Sequence, residues 1–342
     1  MKTKITLTIL ILACLFSVQS QNLQWANGFG GTNADEGRSV AIDGAGNVYA
    51  IGSFAGTADF DPSAATATLL SNGGIQPDIY IAKYNSGGVY QWAFKIGGTA
   101  ADDGSGIATD AAGNIYVTGS FNGSVDFDPS PANAIRNSGG NDNVFVAKYN
   151  SAGAYQWVFN IMTNVMPYHL NIATDASSNV LITGNFNGTA DFNPGAPVNN
   201  LTSLGGSETY VGKYTTAGVY VWAFSLGTSS SNDEGFGITS DPSSNVFVTG
   251  RFQNTVDFDP SASTATLTTG GNAEIFLAKY DAAGTYQWAS NIGSGGADFG
   301  YAVATDAAGD IYLTGYFTSV ADFDPSVGTA TLSSNGGADA FL

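Results

Sequence analysis

Side chains that carry chemistry are scarce in this chain. Its 342 residues include one cysteine, Cys14, and one histidine, His169. Cys14 falls in a segment read below as a removable leader, so the mature chain would have no disulfide, no thiol nucleophile and no cysteine metal site. A lone histidine leaves no histidine cluster to hold a metal. The sequence also contains no GxSxG nucleophile elbow and no phosphate-cradling glycine loop. Positive charge is short as well: Lys and Arg number 10 against 28 Asp and Glu, a formal net charge of −18. Nucleic acid and anionic membrane surfaces are poor partners for such a chain, whereas cations are not repelled. No stretch of twelve residues shows helical periodicity.

The N-terminus "MKTKITLTILILACLFSVQS" places Lys2 and Lys4 before an apolar run from Ile5 to Val18, then ends in Ser20. That is the layout of a secretory signal peptide over residues 1–20, with Val18 and Ser20 suited to the cleavage rule. The apolar run is shorter than the ~20 residues that span a bilayer. A lipid anchor on Cys14 is the competing reading; the residues that follow it, Leu15 to Val18, stay apolar where a polar tether is expected. The mature chain, 21–342, is therefore expected to be exported and not to insert into a membrane. Its 45 glycines would suggest disorder, but 43% hydrophobic and 12% aromatic residues point to a turn-rich β protein.

An internal repeat dominates the rest. The five tryptophans, Trp25, Trp92, Trp157, Trp222 and Trp288, are 67, 65, 65 and 66 residues apart. Asp43, Asp110, Asp175, Asp241 and Asp306 keep the same step, as do Lys83, Lys148, Lys213 and Lys279. The module is about 66 residues long. Its second copy contains four extended segments: "SGIATD" from Ser105, "NIYVTGSF" from Asn114, "NVFVAKY" from Asn143 and "YQWVF" from Tyr155. "DAAGN" separates the first two and "NSAG" the last two, both turn sequences in which Asp or Asn bonds its own backbone and Gly supplies positive φ. Four antiparallel strands apolar on both faces are buried by packing each sheet against its neighbours around an axis, which is a β-propeller. A β-solenoid is the runner-up, with coils usually far shorter than this repeat. The opening "LQWANG" reads as a fourth strand and the final "DAFL" as a third. The expected architecture is thus an all-β propeller of five four-stranded blades, closed by the N-terminal strand joining the C-terminal blade. Because the last strand stops at Leu342, a longer protein with six or more blades is the other expectation.

The string "TDAAGNIYVTGSFNGSVDFDP", followed by "NVFVAKYNSAGAYQWVF", resembles the bacterial β-propeller repeats called SBBP repeats. The resemblance runs from Gln24 to Leu342. It implies a propeller fold and an extracellular or cell-surface location within a larger protein, and it implies no particular activity.

Chemistry, if present, is expected at one end of the blades. The turns "DAAGN" and "NSAG" form one face; the long "DFDP" loops and the links between repeats form the other. The "DFDP" carboxylates Asp59, Asp61, Asp126, Asp128, Asp191, Asp257, Asp259, Asp322 and Asp324 are candidate Ca²⁺ ligands, since two oxygens on one side of a loop can begin such a site. Asn193 replaces the second aspartate in the third copy. The structural alternative is that these acids start turns, cap loop amides or pair with the repeat lysines. A lysine inside a strand packed on both sides needs a partner. The linker acids Asp35, Glu36, Asp102, Asp103, Asp233, Glu234 and Asp298 are expected near the mouth of the central channel, as a broken carboxylate ring facing cations or a polyhydroxylated ligand. The third copy breaks the ring with "NVMPYHL", bringing Met162, Met166, Tyr168 and His169.

These readings leave three functions. The first is a non-catalytic scaffold, adhesion or interaction module whose partners are proteins or glycans at the cell surface, with no cofactor. The second is a multivalent, Ca²⁺-dependent lectin with one equivalent site per blade. The third, a propeller glycoside hydrolase, needs carboxylates in unlike environments, which near-identical blades do not supply.

Overall fold

Asp110 shows how the repeat begins to fold. Its Oδ1 accepts hydrogen bonds from the amides of Ala112 and Asn114, each at 2.9 Å, and its Oδ2 accepts from the Asn114 side chain and the Tyr116 hydroxyl. Gly113, at φ +75°, completes the turn. Asp43, Asp175 and Asp241 repeat the pattern, which sets the register of the first two strands of each copy. In the third and fourth copies a serine takes the glycine's place, and Ser178 and Ser244 adopt φ +61° and +62°.

A computed structural model describes residues 22–162, 169–229, 231–325 and 328–342. Among them every regular element is a β-strand. Four four-stranded antiparallel meanders follow in order, each numbered here from its inner strand outward. The first comprises Asp35–Ile42, Val48–Phe54, Asp78–Tyr84 and Tyr90–Ile96, and the second Asp103–Thr109, Ile115–Phe121, Asn143–Tyr149 and Tyr155–Ile161. The third comprises Asn171–Thr174, Val180–Phe186, Glu208–Tyr214 and Tyr220–Leu226, and the fourth Glu234–Ser240, Val246–Phe252, Glu274–Tyr280 and Tyr286–Ile292. The fifth sheet has three strands, Phe299–Thr305, Ile311–Phe317 and Asp339–Phe341. The expected strands match these closely. The loops read as irregular instead contain a short ribbon in every copy, such as Ser124–Asp126 with Ile135–Asn137.

Inner strands of successive sheets lie side by side, as blades do around a propeller axis. The apolar cores lie between sheets: Ile51, Ile79 and Ile81 of the first pack with Ile107, Val117 and Phe145 of the second, and the same interleaving recurs twice more. Each buried side chain of this kind contributes roughly 1.5–3 kcal/mol. Near the axis a hydroxyl ladder links the blades. Thr109, Thr174, Ser240 and Thr305 each donate to a carbonyl of the preceding inner strand, at Ile42, Thr109, Thr174 and Ser240.

The expected closure is not detected. Among the described residues Asp339–Phe341 pairs only with Ile311–Phe317, and Leu23 to Ala26 form no strand. The opening segment lies instead on the first blade: Phe29 stacks on Tyr84 at 5.8 Å, and the Trp25 indole donates to the Ser86 carbonyl. Both flanks of the arc are open near the axis. Val40 is 67% exposed where its counterpart Ile107 is 5% exposed, and Tyr312 is 49% exposed where Tyr116 is fully covered. The leader expected over residues 1–20, together with Met166 and Tyr168, lies outside the described residues.

Candidate functional site

The "DFDP" loops are tied by their own aspartates. Asp126 Oδ1 accepts from the amides of Asp128 at 3.0 Å and Ala134 at 2.8 Å, closing the ribbon from within. Asp59, Asp191, Asp257 and Asp322 do the same at matching positions. The second acid starts the next turn: Asp61, Asp128 and Asp259 each accept from the amide two residues on, and Asn193 does so equally well. The buried phenylalanine between them, Phe127, offers its carbonyl to the Tyr149 hydroxyl. Among the described residues no three acidic, histidine or cysteine side chains gather in a way that could hold a metal ion.

The lysines work at the opposite end, away from these loops. Lys83, Lys148 and Lys213 donate to the carbonyls of Ser151, Thr216 and Ala282, each in the outer turn of the next blade. Their carboxylate neighbours are the turn aspartates: Lys213 pairs with Asp175 at 2.8 Å, and Lys279 lies 3.9 Å from Asp241.

At the linker end each acidic pair divides between two jobs, because successive residues of a strand point to opposite sides. The first acid turns inward. Asp102 is buried and accepts from the amides of Gly98 and Asn122, at 2.7 and 2.9 Å, joining the link to the end of the second strand. Asp233 and Asp298 make equivalent bonds, and Asp35 accepts from Gly31. Burial pushes the Asp102 carboxyl up to about 7 against the pull of its two amides, with Asp78 and Asp142 adding to the rise. Burial likewise raises Asp233 to about 6. Of these four acids only Asp102 lines the axial cavity, so they do not make the expected channel ring as a set. The second acid does face the axis: Glu36 and Asp103 line a cavity of about 840 Å³, and Glu234 lies beside it, paired with Arg251.

That cavity contains residues absent from the sequence-based candidates. Four of the five inner strands carry a β-bulge at the same place, between Gly37 and Ser39, Gly104 and Gly106, Gly235 and Gly237, and Gly300 and Ala302; Asn171–Thr174 of the third copy pairs without one. A bulge re-aims one side chain. The residues so placed are Arg38, Ser105, Phe236 and Tyr301, and all four line the cavity together with His169 and Leu170 of the third copy. The sequence signal was available: one freely varying residue between two small ones, in "GRS", "GSG", "GFG" and "GYA".

The walls differ in chemistry. On one side the Arg38 guanidinium lies 2.7 Å from Glu36 and 3.4 Å from Asp103. Burial raises the Asp103 carboxyl while Arg38 pulls it back down. On the other side the rings of His169 and Phe236 lie 4.7 Å apart, Phe236 and Tyr301 5.5 Å, and Tyr301 and Tyr316 5.7 Å. Arg251, held by Glu234 at 2.9 Å, sits over the Phe299 ring at 4.5 Å. Burial lowers the His169 pKa; Glu234 opposes that shift, and Arg38 and Arg251 reinforce it.

Residues 91–125 and 221–251 match the family model of the SBBP β-propeller repeat. These two stretches are similar to SBBP β-propeller repeats. Both matches run from an outer strand across the link, through the bulged inner strand and into the second strand, so the SBBP unit straddles two blades. The chain is also 27% identical over 266 residues to an uncharacterized WD repeat-containing protein, L264, of Acanthamoeba polyphaga mimivirus. That match covers 67% of this chain and 19% of the relative, so the chain spans about a fifth of that protein's length.

Proposed function

We propose that this chain is a non-catalytic scaffold and interaction module of the exported or cell-surface kind. One observation carries the reading: the repeated aspartates, lysines and tryptophans, the most regular chemistry in the sequence, bond within or between blades. Asp126 closes its own ribbon, and Lys148 reaches the next blade at Thr216. Residues that recur because the architecture recurs are not free to act as one catalytic pair in unlike environments. The amino-terminal leader pattern and the acidic composition support an extracellular setting.

The test uses the full chain. Expressed with its own leader in a bacterium, it is expected outside the cytoplasm with a new N-terminus near Gln21, and without turnover of aryl glycosides. Its melting temperature is expected to be the same in EDTA and in millimolar Ca²⁺. Retention in the cytoplasm with the leader intact would overturn the exported setting. A chelator-sensitive melting temperature together with five equivalent glycan sites per chain would replace the scaffold with the calcium-dependent lectin.

A further inference from the structure

The axial cavity breaks the repeat. The turn aspartates, lysines and tryptophans recur unchanged, yet the bulge positions hold Arg38, Ser105, Phe236 and Tyr301, and the third copy brings His169 and Leu170 to the same place. A bulge that only shaped the strand would need no particular side chain. Here it delivers a different one from each of four copies into one space, at the end of the molecule where the links and long loops gather.

We propose that this cavity is a single binding site per chain for a neutral saccharide, stacked on Tyr301 and hydrogen-bonded by Arg38 with Glu36 and Asp103. Tyr301 is 41% exposed and rests on buried Phe236, so the wall offers a flat apolar ring with a polar tip, the surface a sugar's C–H face packs against. Opposite it, one guanidinium between two carboxylates presents donors and acceptors side by side, the complement of vicinal hydroxyls. Ser53, Ser105 and Ser120, with Asp102 and Asp142, add further polar groups to the lining. A volume of about 840 Å³ lies in the range of small-molecule sites.

The same geometry sets other ligands aside. Four carboxyl groups, those of Glu36, Asp102, Asp103 and Asp142, to one guanidinium in the lining disfavour an anion. A quaternary ammonium wants several ring faces around it. Those faces are taken: Arg251 covers Phe299, and Phe236 stacks on Phe299 at 6.0 Å and meets His169 at 4.7 Å. Among the phenylalanine and tyrosine rings lining the cavity only Tyr301 is exposed, and one such ring, with the His169 imidazole beside it, makes a stacking platform and not a cage.

The experiment is an array of immobilised neutral oligosaccharides probed with the full chain in EDTA, followed by calorimetry with the best-retained oligosaccharide in solution. One equivalent per chain is expected, with affinity reduced at least tenfold in Tyr301→Ala and in Arg38→Ala. Tyr312→Ala is expected to bind as the parent does, since Tyr312 is an equally exposed tyrosine that bonds a turn at the other end. Ser105→Trp leaves Tyr301, Arg38, Glu36 and Asp103 in place and fills the space; it is expected to abolish binding with an unchanged melting temperature, which separates occupancy from misfolding. No retention on the array would overturn the proposal. So would five equivalents per chain, affinity unchanged in Tyr301→Ala and Arg38→Ala, or selective uptake of a trimethylammonium ligand in place of sugars. The scaffold reading fails on different results, chelator-sensitive folding and equivalent sites in every blade, so the two are told apart.

Discussion

Trp157 donates its indole N–H to the carbonyl of Thr216, 59 residues further along and in the next blade, at 3.2 Å. Lys148, directly across the sheet from Trp157, donates to the same carbonyl at 3.0 Å. The acceptor sits in a turn whose Gly218 has φ +76° and lies flat against the indole; a Cβ there would meet the ring at 3.1 Å. Trp222 and Lys213 share the carbonyl of Ala282 in the same way. The tryptophan and lysine repeats thus record one joint, in which the outer hairpin of each blade clasps the outer turn of the next.

Removing the ring should loosen that joint. Trp157 is half-buried, stacked on Phe159 at 5.6 Å and tilted against Tyr116 at 6.2 Å. Trp157→Ala is expected to destabilise by about 2–4 kcal/mol, toward the lower side for a truncated aromatic because part of the ring meets solvent. Trp157→Phe keeps a ring and loses the hydrogen bond, for about 1 kcal/mol. Chemical denaturation of both variants checks this; equal stability in all three proteins would mean that the indole contributes nothing to blade stacking.

The "DFDP" acids should separate by position. Asp126 closes the ribbon through two amides, so Asp126→Ala is expected to destabilise by about 1–3 kcal/mol as those amides lose their partner. Asp128→Asn should change stability by less than about 0.5 kcal/mol, because Asn193 already makes the same turn contact in the third copy. A larger loss in Asp128→Asn, accompanied by lost Ca²⁺-dependence of melting, would show that the charge itself is needed.

Much of this was legible in the sequence because the repeat averages out noise. Five copies of one turn fixed the strand pairs around Asp110, and the recurring tryptophans set the length of the module. The short ribbon Ser124–Asp126 was missed because three residues carry no period to read. The linker acids were read as one set, since sequence does not say that Asp102 is buried against two amides while Asp103 meets Arg38. The bulge was hidden for a related reason: an inserted residue shifts facing by one, and Arg38 and Tyr301 then look like ordinary strand variation. Closure was inferred from the two ends of the chain alone, whereas the exposed flanks at Val40 and Tyr312 depend on where the sheets sit in space.

The lysine joints should not be equal. Lys213 is buried against Asp175 at 2.8 Å, while Lys83 reaches the Ser151 carbonyl from a more open site and covers the Tyr49 ring at 5.0 Å. Lys213→Ala leaves a buried carboxylate without its cation and is expected to lose about 3 kcal/mol. Lys83→Ala should lose about 1 kcal/mol. Thermal melts of the two variants decide it, and a larger loss at Lys83 would mean that burial of the ion pair does not set the ranking.

Acidity should stabilise the molecule before it destroys it. Burial raises Asp102 to about 7 and Asp233 to about 6, from 3.8. A carboxyl raised on folding binds a proton in the native state that the unfolded chain has released, so its contribution is complete below about pH 4 and disappears as pH climbs through 6 to 7. Self-repulsion at a net charge of −18 grows in the same direction. The turn acids act oppositely. Burial alone would raise Asp110 and Asp175; bonds from Asn114 and Tyr116 hold Asp110 below its ordinary value, and those from Lys213 and Asn179 do the same for Asp175. Their contribution is complete above about pH 4 and is lost as pH falls below it. The melting temperature is therefore expected to peak near pH 4–5 and to decline toward both pH 3 and pH 8. Asp102→Asn should lower the peak and flatten the limb between pH 5 and 8, because the group that titrates there is gone. A melting temperature that rises steadily from pH 5 to pH 8 in the parent chain would show that Asp102 and Asp233 stay ionised in the fold, and that their paired amides outweigh burial.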